Sequence, residues 1–304
     1  MKKLFTIICA LFLINNANAQ LLYKISGKGL DKPSYIVGTY HLAPASFVES
    51  IPGANRILVS VDQVCGEVDM NEINSTENMQ KMMEAMMLPE GQSLSDILTS
   101  EEMDKLNAYL RKILGVDLTN PMIAEQMGKM TPVSLSTTLE LMTSMKETPG
   151  FNPAALIDDY FQKEAIKKGK PIIGLETVDF QIQILYKSST LDRQKEDLFC
   201  SIDKEEEYSK LMKEMREAYF AQNIEELQAV MEQAYDIPCG DIEETEKEME
   251  LVLYGRNEDW IKKMPAIMSE KSTLFVVGAG HLPGDRGVLK LLKDNGYKVK
   301  AVKK

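Results

Sequence analysis

The sequence predicts an α/β protein with a mixed or mostly parallel central sheet and a large helical insertion. Three observations lead there. Short apolar, β-branched runs gather near the two ends of the 304-residue chain. The stretch from about 71 to 168 changes to helical periodicity, and the C-terminal end reads strand, helix, strand.

The first nineteen residues stand apart from that pattern. They carry Lys2 and Lys3, the apolar run LFTIICALFLI and a small-residue end, NNANA, before Gln20. This is the layout of a secretory signal peptide, with cleavage expected after Ala19. The remainder, 20–304, has no apolar run near the eighteen or so residues that span a bilayer. The mature chain is therefore expected to lack a transmembrane segment and to be exported, periplasmic or secreted. Loss of Lys2 and Lys3 takes the formal charge from -11 to -13, which argues against nucleic acid or an anionic membrane surface as the main partner. No Ser/Gly-rich linker or low-complexity tract interrupts the mature chain, so a single domain is expected.

In chain order, the first strand runs are LLYKISG and SYIVGTYH, followed by the helical PGANRILVSV and the strand QVCGEVD. The insertion then begins. Met79, Met82, Met83, Met86 and Met87 follow the spacing of one apolar helix face. Ordinary packing is the plain reading of that stripe, and an adaptable apolar surface that covers a cleft or grips a peptide is the sharper one. SLSDILTSEEMDKLNAYLRKILG offers Ser and Thr caps, early glutamates and a terminal glycine. PIIGLE returns to strand. Residues 190 to 270 are helical and acidic, as solvated faces are. LFVVGAG, the amphipathic GVLKLLKDNGY and YKVKAV then suggest a β-α-β unit with parallel neighbours.

Cysteine is sparse. Cys9 leaves with the signal, and Cys65, Cys200 and Cys239 remain. Cys200 and Cys239 lie in polar, loop-like contexts, so a 200–239 disulfide is expected in an oxidising compartment, with Cys65 a buried free thiol.

His41 and His281 are the only histidines, and each follows a strand-like run at the same offset, in GTYH and GAGH. Glu67, Asp69 and Glu176 also fall at predicted strand ends. In open α/β sheets ligands bind outside the carboxyl ends of the strands, so these residues are expected to face one cleft. Two imidazoles with carboxylates suit a divalent transition metal, manganese, cobalt or zinc. Gly38 and Gly278 are expected to adopt backbone angles closed to other residues. The chain holds no H-E-x-x-H helix, no G-x-S-x-G elbow and no G-x-x-x-x-G-K-[ST] loop, so zincin, serine-hydrolase and nucleotide-driven readings lose their main support.

These motifs resemble, in order, those of the TraB/GumN family, which includes the TIKI proteases. SYIVGTYHLAP is similar to its first Gly-x-x-His motif and VCGEVDM to its strand ending in Glu-x-Asp. GKPIIGLETVDFQIQIL looks like its Leu-Glu-Thr stretch, YGRNEDW like its Arg-Asn-x-x-Trp, and VVGAGHLPGDRGVLKLLKDNGYKV like its second histidine motif. The resemblance implies an EreA/ChaN-like, TIKI-like sheet with a strand-end active cleft. It also implies metal-dependent hydrolysis of peptide bonds in a peptide or protein substrate, with both histidines and a strand-end glutamate essential.

On that basis His41, His281 and Glu67 are the expected metal ligands, with Asp69 or Glu176 accepting from the ring nitrogens that face away from the metal. Glu67 either completes the metal set or acts as general base, and is preferred to Glu176 for the chemistry. Arg256 either clamps Glu176 or holds a substrate carboxylate or oxyanion. Asn257 reads as a helix N-cap because Glu258 and Asp259 follow it. Two other functions fit the same residues: a metal-free, histidine-dependent esterase, as in folds resembling erythromycin esterase, and a non-catalytic envelope protein that binds metal, haem or another ligand.

Overall fold

The computed structural model describes residues 20–303 apart from Pro149, Tyr235, Asp236, Pro238 and Asp241. The signal-peptide expectation falls on residues outside that set. Six strands form one mixed sheet: β1 (Leu22–Ser26), β2 (Ser34–Thr39), β3 (Gln63–Gly66), β4 (Ile172–Gly174), β5 (Thr273–Gly278) and β6 (Lys298–Ala301), in the order β4-β3-β5-β2-β1-β6. Strands β4, β3, β5 and β2 run parallel, and β1 is antiparallel to both β2 and β6.

Burial follows that order. Strand β3 is buried at every position and β5 at all but its last, the continuous apolar pattern of strands covered on both faces. Strand β6, at the sheet edge, alternates between exposed and half-buried residues. The C-terminal unit differs from expectation in one respect: β2 and β1 lie between β5 and β6, so the strands joined by the Val288–Asp294 helix are not neighbours. Spacing within a strand-helix-strand run reports direction and not how many strands the crossover passes.

The insertion is helical as read, and with the Leu191–Asp203 helix it forms a second apolar cluster that includes Leu94, Leu106, Leu110, Leu135, Leu139 and Leu198. The methionine stripe is partly packed and partly open. Met82, on the Thr76–Met86 helix, packs with Val68, Ala85, Val178 and Ile182. Met79 and Met83 are 47% and 68% exposed and, with Met87, line an open groove of about 850 Å³.

Cys200 and Cys239 are disulfide-bonded, with Cα atoms 5.7 Å apart. Cys200 lies inside a helix and not in a loop, because the polar residues around it form that helix's outer face. Cys65 is a free thiol at 0% exposure in the core around the sheet, where burial pushes its pKa up. No helix among the described residues is long and apolar enough to cross a membrane.

Candidate active site

Because β2, β3, β4 and β5 run parallel, their carboxyl ends share one sheet edge. Glu67 follows β3 directly, His41 and Glu176 come two residues after β2 and β4, and His281 comes three after β5. Backbone bonds fix two of these ends to each other, with Leu175 N–H donating to Gly66 O at 3.0 Å and Glu176 N–H to Glu67 O at 2.8 Å. The fifth residue arrives from elsewhere: Arg256 stands near the start of the Gly255–Glu270 helix, behind a π-helical turn at Glu250–Tyr254.

Arg256 ties this edge together. Its Nε donates to Glu176 Oε1 and its Nη2 to Glu176 Oε2, both at 2.8 Å. Nη2 also reaches Glu67 Oε2 at 2.5 Å, while Nη1 reaches Val252 O at 3.1 Å and His281 Nε2 at 3.2 Å. Those five contacts match the five N–H donors of a guanidinium. Of the two roles open for Arg256, the bonds are those of the clamp, and no donor is left for a substrate oxyanion in this arrangement.

Glu176, with a side chain 1% exposed, is saturated from its own side. It accepts from Arg256 twice, from Trp260 Nε1 at 2.7 Å and from Gln181 Nε2 at 3.3 Å. Arg256 and Trp260 are one helical turn apart, which lets both meet the same carboxylate. Glu67 is more open, at 14%. Gly278 N–H donates to its Oε1 at 2.7 Å. Burial alone would raise the Glu67 pKa, but facing His281, Arg256, His41 and that N–H, its carboxyl is held at about 2.

The two histidines are held differently. His41 stands in solvent, its side chain 74% exposed, with Nδ1 3.1 Å from Asp158 Oδ2. The Asp158 carboxylate, by its charge and its hydrogen bond, pushes the pKa of this ring up to about 9. His281 is 6% exposed: the short 3₁₀ turn after β5 folds this ring inward against Trp260, with centroids 4.3 Å apart. Burial, with Arg256 and His41 nearby, lowers its pKa to about 4 although Glu67 pulls the other way.

Asn257 fixes the ring of His281. Its Nδ2 donates to Arg286 O at 2.9 Å, so its Oδ1 is the acceptor for His281 Nδ1–H at 2.7 Å. His281 Nε2 then carries the lone pair that Arg256 meets. Asn257 is thus no N-cap: it lies inside the helix and is 1% exposed. Nor do Asp69 and Glu176 support the histidines. Asp69 caps the short Met70–Ile73 helix by accepting from Asn71 N–H at 2.8 Å, and Asp158 and Asn257 take the expected positions. Asn257 and Trp260 sit inside the YGRNEDW motif, whereas Asp158 carried no signal beyond acidic charge at the start of a helix.

The glycines serve proximity, not unusual dihedrals. Neither Gly38 nor Gly278 has a positive φ. A Cβ on Gly38 would lie 2.7 Å from Leu282 Cδ1 and 3.0 Å from Ala279 Cα, so this glycine lets the two histidine motifs touch. The opening left at the sheet edge is a cleft of about 290 Å³ lined by His41, Glu67, Gln181, Ile184, Leu185 and Arg256.

An α/β sheet whose parallel strand ends gather two histidines and two glutamates around one arginine defines the class. The family model for the TraB/PrgY/gumN family matches residues 21–301, nearly the full chain, and the protein belongs to that family. Neither a curated protein nor a solved structure gives a match.

Proposed function

We propose that this protein is an exported hydrolase of peptide bonds that works in the cleft between His41 and Glu67. The observation that carries the reading is that the accessible His41 and the ionised Glu67, itself held by Arg256, line one small cleft, while Glu176 is closed off behind that clamp. The choice of peptide substrates rests on the family resemblance. Glu67 accepts a proton from the attacking water at a carboxylate oxygen and passes it to the leaving nitrogen. Arg256 and Gly278 N–H keep that carboxylate oriented.

A divalent transition metal, manganese, cobalt or zinc, belongs to this reading, held by His41, His281 and Glu67. The donor types fit, since each Nδ1 is committed to Asp158 or Asn257, which puts each Nε2 on the far side of its ring, that of His281 against Arg256. The spacing is set by Arg256: its Nη1 and Nη2 meet His281 and Glu67, and among the described residues no three His, Cys, Asp or Glu side chains stand together as a metal-holding group. Holding a metal on all three therefore requires Arg256 to release His281 and Glu67. Bound there, the metal would lower the pKa of water and polarise a carbonyl.

The presence of Arg256 between His281 and Glu67 favours a second reading, metal-free hydrolysis. In it His41, whose pKa lies at about 9, delivers a proton from Nε2 while Glu67, at about 2, receives one. At neutral pH those values leave the imidazole protonated and the carboxylate ionised, the forms an acid and a base start from. The test is metal analysis of tag-free protein together with peptide and ester turnover by wild type, His41→Ala and His281→Ala. Turnover lost with His41→Ala supports a hydrolase, and its dependence on added manganese, cobalt or zinc after chelation selects the first reading. No turnover of either substrate class, or turnover indifferent to both substitutions, rejects the hydrolase and leaves a ligand-binding envelope protein.

A further inference from the structure

We infer that Asp158 is the positioning residue for His41, an inference that rests on the hydrolase reading above. His41 lies on an exposed loop, and among the described residues its side chain meets Asp158, 117 residues away in sequence. An exposed ion pair commonly adds little stability and imposes little order. This pair is built differently. The carboxylate is held from its other side, where Thr39 Oγ1 donates to Asp158 Oδ1 from a residue 2% exposed at the end of β2.

The backbone beneath it is fixed as well. Asp158 is the second residue of the Ile157–Lys167 helix, whose Ile157, Phe161 and Ala165 are all at 0% exposure in the core. The loop that carries His41 is joined to the start of that helix by Ile157 N–H to Ala43 O at 3.0 Å and Ala45 N–H to Ala155 O at 2.8 Å, around a Pro44–Leu156 bridge. Loop, strand end and helix start thus form one unit, and the carboxylate is anchored before the imidazole meets it. Asp158 holds the His41 proton on Nδ1 and leaves Nε2 as the atom offered to the cleft.

The test compares Asp158→Ala, Asp158→Asn and His41→Ala on a substrate that the wild type turns over. Partners that orient a reactive histidine typically contribute on the order of tenfold to a hundredfold. Asp158→Ala is expected to lower kcat by that factor with KM little changed, and Asp158→Asn, whose amide oxygen still accepts from Nδ1–H, should recover part of the loss. Nitrogen NMR near about pH 10, where imidazole is neutral, gives a readout independent of activity. Wild type should hold His41 as the Nδ1–H tautomer, and Asp158→Ala should shift it towards Nε2–H. Turnover abolished by His41→Ala but untouched by Asp158→Ala overturns the inference and leaves the hydrolase reading standing. Turnover indifferent to His41→Ala removes His41 from the reaction, and the tautomer then decides the positioning role alone: an unchanged Nδ1–H form in Asp158→Ala overturns it.

Discussion

Arg256 and Glu176 form a two-point ion pair, Nε to Oε1 and Nη2 to Oε2, each at 2.8 Å, with the two side chains 9% and 1% exposed. Removing one partner of such a pair leaves a buried charge without compensation, which costs about 3 to 5 kcal/mol. Arg256→Ala is expected to fall in that range by urea denaturation. Arg256→Lys should recover little of the loss, because an ammonium has three donors and cannot bridge Glu176, Glu67, Val252 and His281 at once. A lysine variant of near wild-type stability would show that the pair is held by charge alone.

The only two histidines should titrate far apart, and imidazole NMR can follow each without crowding. From the ordinary value of 6.5, His41 is expected to move up to about 9 and His281 down to about 4. The signs for stability are opposite. Between about 6.5 and 4 the unfolded chain takes up a proton at His281 that the folded chain refuses, so stability falls as pH drops through that window. The His41 contribution is fully present below about 6.5 and is lost as pH rises towards about 9. Two signals titrating together near 6.5 would contradict both environments.

Gly38→Ala is expected to be destabilising by about 1 to 3 kcal/mol, the usual range for overpacking. The added methyl meets Ala279 Cα, a backbone atom, as well as the Leu282 side chain, so a rotamer change cannot relieve it fully. Gly278→Ala should be milder, because its nearest contacts, Glu67 Oε1 and His281 Cδ2, lie at 3.4 Å. Thermal melts of the two variants check the order. An equal effect would mean that neither glycine is there for space.

The contrast between strand ends and supporting residues shows what the sequence made legible. All six strands were readable because the covered ones are continuous apolar runs, and Gly-x-x-His at matched offsets drew His41 and His281 to one edge. What supports the ring nitrogens was not readable. Asp158 lies 117 residues from His41 and Asn257 lies 24 from His281, and an acidic residue at a helix start or an asparagine beside two acids has a local explanation that needs no distant partner. The inward turn of His281 was hidden for a related reason, since nothing in GAGH differs from GTYH in a way that tells a buried ring from an exposed one. Strand order likewise depends on which edges pair, and a single strand-helix-strand run carries no such information.

Reducing the Cys200–Cys239 bridge should lower stability by about 3 to 4 kcal/mol, the chain-entropy figure for a loop closed over a separation of 39 residues. The disulfide joins the Leu191–Asp203 helix to the segment that leads, through Ile242–Met249, into the π turn before Arg256. Arg193 reinforces the same junction, with Nε on Glu248 Oε1 at 3.0 Å and Nη2 on Cys239 O at 3.3 Å. Melting temperature measured with and without reductant gives the size of the effect, and thiol counting in unfolded, unreduced mature protein should find one free cysteine, Cys65. A count of three would place the mature protein in a reduced state.

The two glutamates at the clamp should separate stability from chemistry. Glu176 has a closed side chain and accepts from Arg256, Trp260 and Gln181. Glu176→Gln therefore replaces a buried anion by a neutral group that turns an NH₂ towards donors, and is expected to destabilise the fold by several kcal/mol. Glu67 lies on the cleft, and in Glu67→Gln the amide oxygen still accepts from Gly278 N–H. Its stability loss should be the smaller of the two, whereas its rate loss should be the larger for folded protein, on the order of a hundredfold to ten-thousandfold if Glu67 moves the proton. Urea midpoints and single-turnover rates on the same preparations make the comparison. Should Glu67→Gln keep the wild-type rate while Glu176→Gln, still folded, loses it, the proton acceptor has been assigned to the wrong carboxylate.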